Sequence, residues 1–137
     1  HTIAEMVEAG RAAISYARAQ GAEKIVLWGY SSGAALAALL VDDTVDALML
    51  TYPDFAALDG LPADIRGAAA LPESTTWPKT YLQIATHDEV VDEAQTRAVT
   101  ADAEDITTAE YVSRHRISTP EVARSRVRDI AEFIKSL

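Results

Sequence analysis

The chain has 137 residues, which is enough for one domain with a hydrophobic core and too few for two. It carries 21 Asp and Glu residues against 12 Lys and Arg, and this net charge of −9 excludes nucleic acid and an anionic membrane as expected partners, because both attract a positive surface. There is no cysteine, so disulfides, thiolate metal sites and cysteine nucleophiles are excluded. The sequence indicates no metal ion, no cofactor and no membrane-spanning segment.

The start of the chain bears on its processing. It begins at His1 without an initiating methionine and runs directly into a predicted helix. We therefore expect that an upstream segment has been removed. No signal peptide is recognisable, which favours a cytoplasmic protein.

The first third of the chain predicts a helix, a buried strand and a second helix. Thr2 and Glu5 form a capping box before apolar residues at helical spacing, and Gly21 ends that run. Residues 24–28, KIVLW, are apolar without alternation, which is typical of a strand buried on both faces. An alanine-rich helix follows over residues 34–40.

The remaining elements continue this alternation. Strands are predicted over residues 45–51, 80–85 and 106–112, and helices begin at Asp92 and after Thr119. One apolar stripe is expected along the last helix, made of Ala123, Val127, Ile130, Ile134 and Leu137.

Strands that alternate with helices predict right-handed crossovers and a mainly parallel sheet covered on both faces. We therefore expect a single α/β domain over residues 1–137, with three layers in the order helix, sheet, helix. Residues 55–78 interrupt the alternation as an irregular excursion and form a candidate cap or lid. Its apolar residues either wall a pocket or make a small core of their own: Phe55, Leu58, Leu61, Ile65, Leu71 and Trp77.

The motif GYSSG, residues 29–33, joins the first strand to the alanine-rich helix. A serine hydroxyl is a weak nucleophile unless a base takes its proton and the attacked oxygen is stabilised. Glycines two residues before and after Ser31 remove side chains that would clash in a sharp turn, and the helix start favours negative charge. The motif predicts Ser31 as a nucleophile and the Ser32 N–H as an oxyanion donor; Ser32 fits the nucleophile role poorly, since it lacks the symmetric glycines.

A second segment, YLQIATHDEVV over residues 81–91, resembles the strand-then-acid segment of α/β hydrolases, where an Asp stands just before a pair of valines. Together with GYSSG, this resemblance covers nearly the whole chain. The chain is similar to esterases and dienelactone-hydrolase-like enzymes from their nucleophile strand onward. It implies Asp88 as the acid and His115 as the base of a Ser-His-Asp triad. The implied activity is hydrolysis of a small carboxylic ester, thioester or amide through an acyl-serine intermediate.

Alternatives exist for the acid and the base. Asp54 lies just past the second strand, a position that some members of the superfamily use for the acid, but the flanks of Asp88 match better. His87 adjoins Asp88 in sequence and cannot readily receive its carboxylate. Arg114 and Arg116 flank the candidate base where the family often has glycine, so a surface histidine in a basic loop is the competing interpretation.

The resemblance also implies that the first strands of the fold and the loop carrying a second oxyanion donor are absent. Alone, residues 24–28 would form a bare hydrophobic edge, which is a template for aggregation. We therefore expect pairing with an N-terminal segment or another chain along residues 24–28. The alternatives to an independent hydrolase of small acyl substrates are a catalytically inactive, hydrolase-like binding module and a half-domain active only with a partner segment.

Overall fold

The structure, a computed structural model, describes residues 2–59 and 71–137. In this part of the chain a parallel sheet of four strands, in the order β1-β2-β3-β4, lies between helices. The strands are β1 Val26–Tyr30, β2 Ala47–Thr51, β3 Lys79–Ala85 and β4 Ile106–Tyr111. The helices are α1 Ile3–Ala19, α2 Ser32–Leu39, α3 Glu93–Thr100 and α4 Pro120–Lys135. The predicted α/β class is confirmed.

The strands are parallel and each pairs with the next along the chain. Their carboxyl ends therefore meet at one edge of the sheet. The last residues of the strands at this edge are Tyr30, Thr51, Ala85 and Tyr111. The loops that follow them carry every residue proposed for the site.

Two apolar layers cover the sheet. On one face Leu48 and Leu50 pack against Ala34 and Ala35 of α2, and all four are fully buried. Alanine side chains let this helix lie close to the strands, which brings its first residue to the end of β1. On the other face, α4 packs against the alternate side chains of the same strands, such as Met49. The predicted three-layer arrangement is confirmed.

The stripe predicted along the last helix is correct at Ile130 and wrong at Val127 and Ile134. Val127 is 58% exposed and Ile134 47% exposed, whereas Ile130 and Phe133 are buried. The ring of Phe133 stacks on that of Tyr81 with 5.2 Å between centroids. Phe133, which the aliphatic spacing does not include, therefore belongs to the buried face of this helix.

A chain of polar contacts crosses the sheet on the α4 side. Trp28 Nε1 donates to Thr51 Oγ1 at 3.0 Å, and Thr51 Oγ1 donates to Gln83 Oε1 at 2.7 Å. Gln83 Nε2 donates to the Tyr111 hydroxyl at 3.0 Å, which donates to Asp129 Oδ2 at 2.7 Å. Since Thr51, Gln83 and Tyr111 are buried, these bonds satisfy polar groups that would otherwise be costly inside the fold.

Strand β1 lies at the margin of the sheet. It begins two residues later than predicted and extends to Tyr30, and within the described residues its strand partner is β2 alone. Trp28 is 55% exposed and Tyr30 44% exposed. Within the described residues, the outer backbone edge of this strand therefore has no strand partner.

The irregular excursion is described only in part. It contains two short 3₁₀ turns, Phe55–Leu58 and Ser74–Thr76, while residues 60–70 lie outside the described residues. The predicted cap or lid therefore stays a prediction.

Candidate active site

Ser31 occupies the sharp turn between β1 and α2. Its backbone has φ +58° and ψ −122°, a region that residues with a side chain rarely adopt and that costs about 1–3 kcal/mol. Neighbouring backbone holds it there, since Ser31 N–H donates to Thr51 O at 3.0 Å and Asp54 N–H donates to Ser31 O at 3.0 Å. The side chain is therefore presented at the carboxyl edge of the sheet.

The two glycines of the motif differ in their structural need. A Cβ atom on Gly29 would overlap the backbone carbonyl of Gly33, so only glycine fits at position 29. A Cβ on Gly33 would meet no atom within 4 Å in the described part of the chain. The predicted steric role is therefore correct for Gly29 and wrong for Gly33, because the helix direction carries the second position away from the strand.

The structure brings Ser31, His115 and Asp88 together. His115 Nε2 lies 2.8 Å from Ser31 Oγ, and His115 Nδ1 lies 2.8 Å from Asp88 Oδ2. The side chains of His115 and Asp88 are 3% and 7% exposed. Because a carboxylate only accepts hydrogen bonds, Nδ1 carries the proton and Nε2 can accept the serine hydroxyl.

The orientation of Asp88 is fixed by the loop after β3. Its Oδ1 accepts backbone N–H groups of Val90 at 2.8 Å and Val91 at 2.7 Å. The other oxygen, Oδ2, remains for His115. The pair of valines that identified this segment in the sequence therefore supplies two backbone donors to the carboxylate.

The competing residues take other roles. Asp54 contributes its backbone N–H to the carbonyl of Ser31, and the carboxylate that meets the His115 ring is that of Asp88. The side chain of His87 is exposed, and its backbone N–H donates to Ser113 O at 3.0 Å.

Ser32 begins helix α2, whose first N–H groups have no acceptor within the helix. The first backbone bonds of this turn run from Ala34 N and Ala35 N to Ser31 O, at 3.1 and 3.4 Å. The N–H of Ser32 therefore lies beside the nucleophile candidate at the positive end of the helix dipole.

Sequence reasoning missed the aromatic surroundings of His115. The ring of Tyr30 lies 5.3 Å and that of Tyr52 6.0 Å from its imidazole, measured between centroids. The Tyr30 hydroxyl also donates to the backbone carbonyl of His115. Burial raises the pKa of Tyr30, so the phenol keeps the proton that it donates. The available signal was the position of Tyr30 inside the GYSSG motif, directly before the serine.

Glu89 is the other residue that was missed. Its carboxylate accepts the backbone N–H of His115 at 2.8 Å and that of Arg116 at 3.3 Å, and it lies 3.6 Å from the Arg114 guanidinium. The signal was the second acidic residue directly after Asp88.

An apolar pocket of about 220 Å³ opens beside the start of α2. Its walls come from α1, α2 and the first 3₁₀ turn: Ile3, Met6, Ser32, Gly33, Leu36, Ala57 and Leu58. Of the excursion residues predicted as pocket wall or small core, Leu58 lines it, while Phe55 and Trp77 are buried in the main core. Leu71 packs on that core, and Leu61 and Ile65 lie outside the described residues.

No helix within residues 2–59 and 71–137 is long and apolar enough to cross a membrane. The same residues contain no group of three or more His, Cys, Asp or Glu side chains that could hold a metal ion.

The sequence matches no protein-family model and no curated protein. Three solved structures illustrate the likeness of fold. One is described as a predicted CIB-like hydrolase from Thermoplasma acidophilum, with TM-score 0.63 and 22% identity over 98% of this chain and 59% of its own. An esterase from Pyrococcus furiosus gives a TM-score of 0.75 and 13% identity over 99% of this chain and 64% of its own. An esterase from the Planctomycetes species Thermogutta terrifontis, with butyrate bound, gives a TM-score of 0.66 and 17% identity over 99% of this chain and 66% of its own.

The chain therefore has the α/β-hydrolase fold, and the resemblance predicted from its sequence is confirmed at that level. It spans about three fifths to two thirds of the length of these hydrolases.

Proposed function

We propose that this chain carries the catalytic centre of a serine hydrolase that cleaves a small carboxylic ester, thioester or amide. Ser31 is the nucleophile, His115 the base and then the acid, and Asp88 the residue that orients His115. The observation that carries the proposal is the pair of 2.8 Å contacts that the His115 ring makes, one to Ser31 Oγ and one to Asp88 Oδ2.

The chemistry follows from those contacts. Ser31 Oγ attacks the carbonyl carbon of the substrate while its proton passes to His115 Nε2. The protonated ring then gives that proton to the departing alcohol, thiol or amine, which leaves an acyl group on Ser31. Water, deprotonated by the same nitrogen, then attacks the acyl carbon. The bond to Ser31 Oγ breaks, Nε2 returns its proton to that oxygen, and the carboxylic acid leaves. Asp88 stabilises the imidazolium formed in both halves of the reaction.

Negative charge on the attacked oxygen needs donors. We assign the Ser32 N–H as one of them, because it lies at the start of α2 beside Ser31 and is supported by the helix dipole. The loss of one such donor can reduce the rate by about 10²–10³-fold. A second N–H donor from a segment outside residues 1–137 would complete the oxyanion site.

The pocket beside Ser32 supports a small acyl group. Its volume of about 220 Å³ and its apolar walls fit a short hydrocarbon chain better than a long or charged one. The esterase of similar fold from Thermogutta terrifontis has butyrate bound, which carries a short hydrocarbon chain of this kind.

We further propose that this centre is completed by another segment pairing along residues 24–28. Strand β1 pairs on one side only within the described residues, and it presents exposed Trp28 and Tyr30. A long apolar edge strand is normally covered or paired. The relevant experiment is to express residues 1–137 alone and to measure solution size, cooperative unfolding and esterase activity. A soluble, cooperatively folded and fully active monomer would contradict this part of the proposal.

Covalent labelling by a fluorophosphonate tests the catalytic proposal directly, because only an activated serine reacts. The full-length gene product should be labelled once, at Ser31, and the Ser31→Ala variant should not be labelled. A folded wild-type protein that is never labelled would instead favour a catalytically inactive binding module.

A further inference from the structure

The backbone of His115, and not only its ring, is held by side chains. Its N–H donates to Glu89 Oε2 at 2.8 Å, and its carbonyl oxygen accepts the hydroxyl of Tyr30. Tyr30 is the last residue of β1, and Glu89 lies in the loop after β3. Two segments distant in sequence therefore hold the two peptide groups that flank the Cα atom of His115.

These contacts matter because the ladder of the sheet ends before His115. Strand β4 ends at Tyr111, and the last backbone bond to the β3 loop runs from His87 N–H to Ser113 O at 3.0 Å. Between Ser113 and the N-cap of α4 at Thr119, the loop has no regular secondary structure. The position and orientation of the His115 ring therefore depend on side-chain contacts to this loop.

Glu89 is well suited to this task electrostatically. The backbone N–H of His115 lowers the pKa of the Glu89 carboxyl from 4.5 to about 2, with smaller contributions from Arg116 N–H and the Arg114 guanidinium. The carboxylate is thus ionised at every pH at which a neutral imidazole could serve as a base. It also gives Arg114 an anionic partner, so that this cation beside the histidine is paired.

We propose that Glu89 and Tyr30 are positioning residues. They hold the backbone N–H and carbonyl oxygen of His115, so that Nε2 meets Ser31 while Nδ1 meets Asp88. This inference rests on the proposed function. The two adjacent acids divide the work: Asp88 fixes the ring and Glu89 fixes the backbone that carries it. A displacement of about 1 Å in such a site can reduce the rate by about 10²-fold, so the effect should fall on the chemical step and not on substrate binding.

The test uses the full-length gene product with a fluorophosphonate and with p-nitrophenyl acetate. Glu89→Ala should slow labelling and kcat by about 10²-fold and leave KM nearly unchanged. Glu89→Gln keeps one carbonyl oxygen for the His115 N–H and should recover part of that loss. Tyr30→Phe keeps the ring contact but removes the hydroxyl, and should slow both rates less than Glu89→Ala does.

The matched control is Glu93→Ala, since Glu93 is an exposed acid on α3 that pairs with Arg97 at 3.0 Å. It should leave the rates unchanged. Carbon NMR of the Glu89 carboxyl provides a readout without turnover, with an expected titration midpoint near the pKa of about 2.

The outcomes separate the two proposals. If the wild type is labelled and the Glu89→Ala variant is labelled equally fast, the positioning roles alone are overturned. The same holds if the loss of activity in Glu89→Ala is a rise in KM and not a fall in kcat. A wild type that is never labelled overturns the proposed function and this inference with it. A titration midpoint of Glu89 near the ordinary value of 4.5 overturns the hydrogen bond from the His115 backbone to Glu89, whatever the rates are.

Discussion

The backbone carbonyl of Ser31 accepts a hydrogen bond from the backbone N–H of Asp54 at 3.0 Å. This bond joins the turn after β1 to the turn after β2. It helps to hold Ser31 at φ +58° and ψ −122°, which is the mirror image of an extended conformation that glycine adopts freely. The strained turn is thus stabilised by the neighbouring strand end.

This strain predicts the order of stability of two variants. Both Ser31→Ala and Ser31→Gly lose the contact with His115, but only glycine relieves the positive φ. We expect Ser31→Gly to be more stable than Ser31→Ala by about 1 kcal/mol in the free energy of unfolding. Urea denaturation at neutral pH measures the difference. Equal stabilities would mean that the turn relaxes when the serine is removed.

The choice of acid predicts a second contrast. Asp88→Asn should lower kcat for p-nitrophenyl acetate by about 10⁴-fold, because the amide favours the wrong tautomer of His115. Asp54→Asn keeps the backbone N–H that binds Ser31 O and should change kcat only a few-fold. A severe loss with Asp54→Asn and a mild one with Asp88→Asn would reverse the assignment.

The two glycines of the motif predict a third contrast. Gly29→Ala forces a Cβ against the carbonyl of Gly33 and should destabilise the fold by about 3 kcal/mol or more. Gly33→Ala places a methyl group in open space at the start of a helix and should leave stability within about 0.5 kcal/mol of the wild type. Thermal unfolding followed by circular dichroism compares the two, and similar losses would show that the turn is packed differently.

The apolar pocket predicts selectivity for acyl length. Ala57 lines it, whereas its neighbour Ala56 in the same 3₁₀ turn is exposed and does not. Ala57→Leu should lower kcat/KM for p-nitrophenyl butyrate about tenfold relative to p-nitrophenyl acetate, because the added atoms occupy the space of the longer chain. Ala56→Leu should leave that ratio unchanged. An unchanged ratio in Ala57→Leu would place the acyl chain elsewhere.

Acid should weaken the fold through carboxylates that accept backbone hydrogen bonds, and Glu89 and Asp46 are two of these. The backbone N–H of His115 lowers the pKa of the Glu89 carboxyl to about 2. The backbone N–H of Ile25 donates to Asp46 Oδ2 at 2.7 Å and lowers the pKa of Asp46 below 3.8. Groups with a depressed pKa in the folded state add stability that is fully present above their ordinary values of 4.5 and 3.8. That stability is lost as the pH falls through the folded values.

The free energy of unfolding should therefore decline from about pH 4.5 down to about pH 2. Urea titrations at several acidic pH values measure this decline. Glu89→Gln and Asp46→Asn cannot titrate at these positions, so each should make the decline shallower. A decline of the same steepness in both variants would assign it to other carboxylates.

The sequence predicted those parts of the site that local sterics determine. A strand, a serine turn and a helix in immediate succession require Gly29, whose missing Cβ is visible from sequence alone. Asp88 was implied by the family resemblance, which includes the two valines whose backbone N–H groups bind its carboxylate. Position along the chain, as the resemblance implies it, predicted His115 as the base without local support, and the structure brings its ring to Ser31 and Asp88.

Other parts depend on contacts between distant segments. Glu89 and Tyr30 meet His115 only after β1, β3 and β4 are aligned. Their positions beside Asp88 and Ser31 in the sequence indicate that they are near the site, but not which atoms they contact. The buried face of α4 likewise depends on the stacking of Phe133 on Tyr81, which aliphatic spacing does not contain.

The polar chain across the sheet has a direction. Every bond from Trp28 through Thr51, Gln83 and Tyr111 to Asp129 has its donor on the Trp28 side and its acceptor on the Asp129 side. Hydrogen bonds arranged head to tail polarise one another, and this series ends on a carboxylate, which draws each proton the same way. Four hydrogen bonds in this series thus link the indole at the exposed margin to the Asp129 carboxylate on α4. We therefore expect the fluorescence of Trp28 to change when the last helix undocks from the sheet.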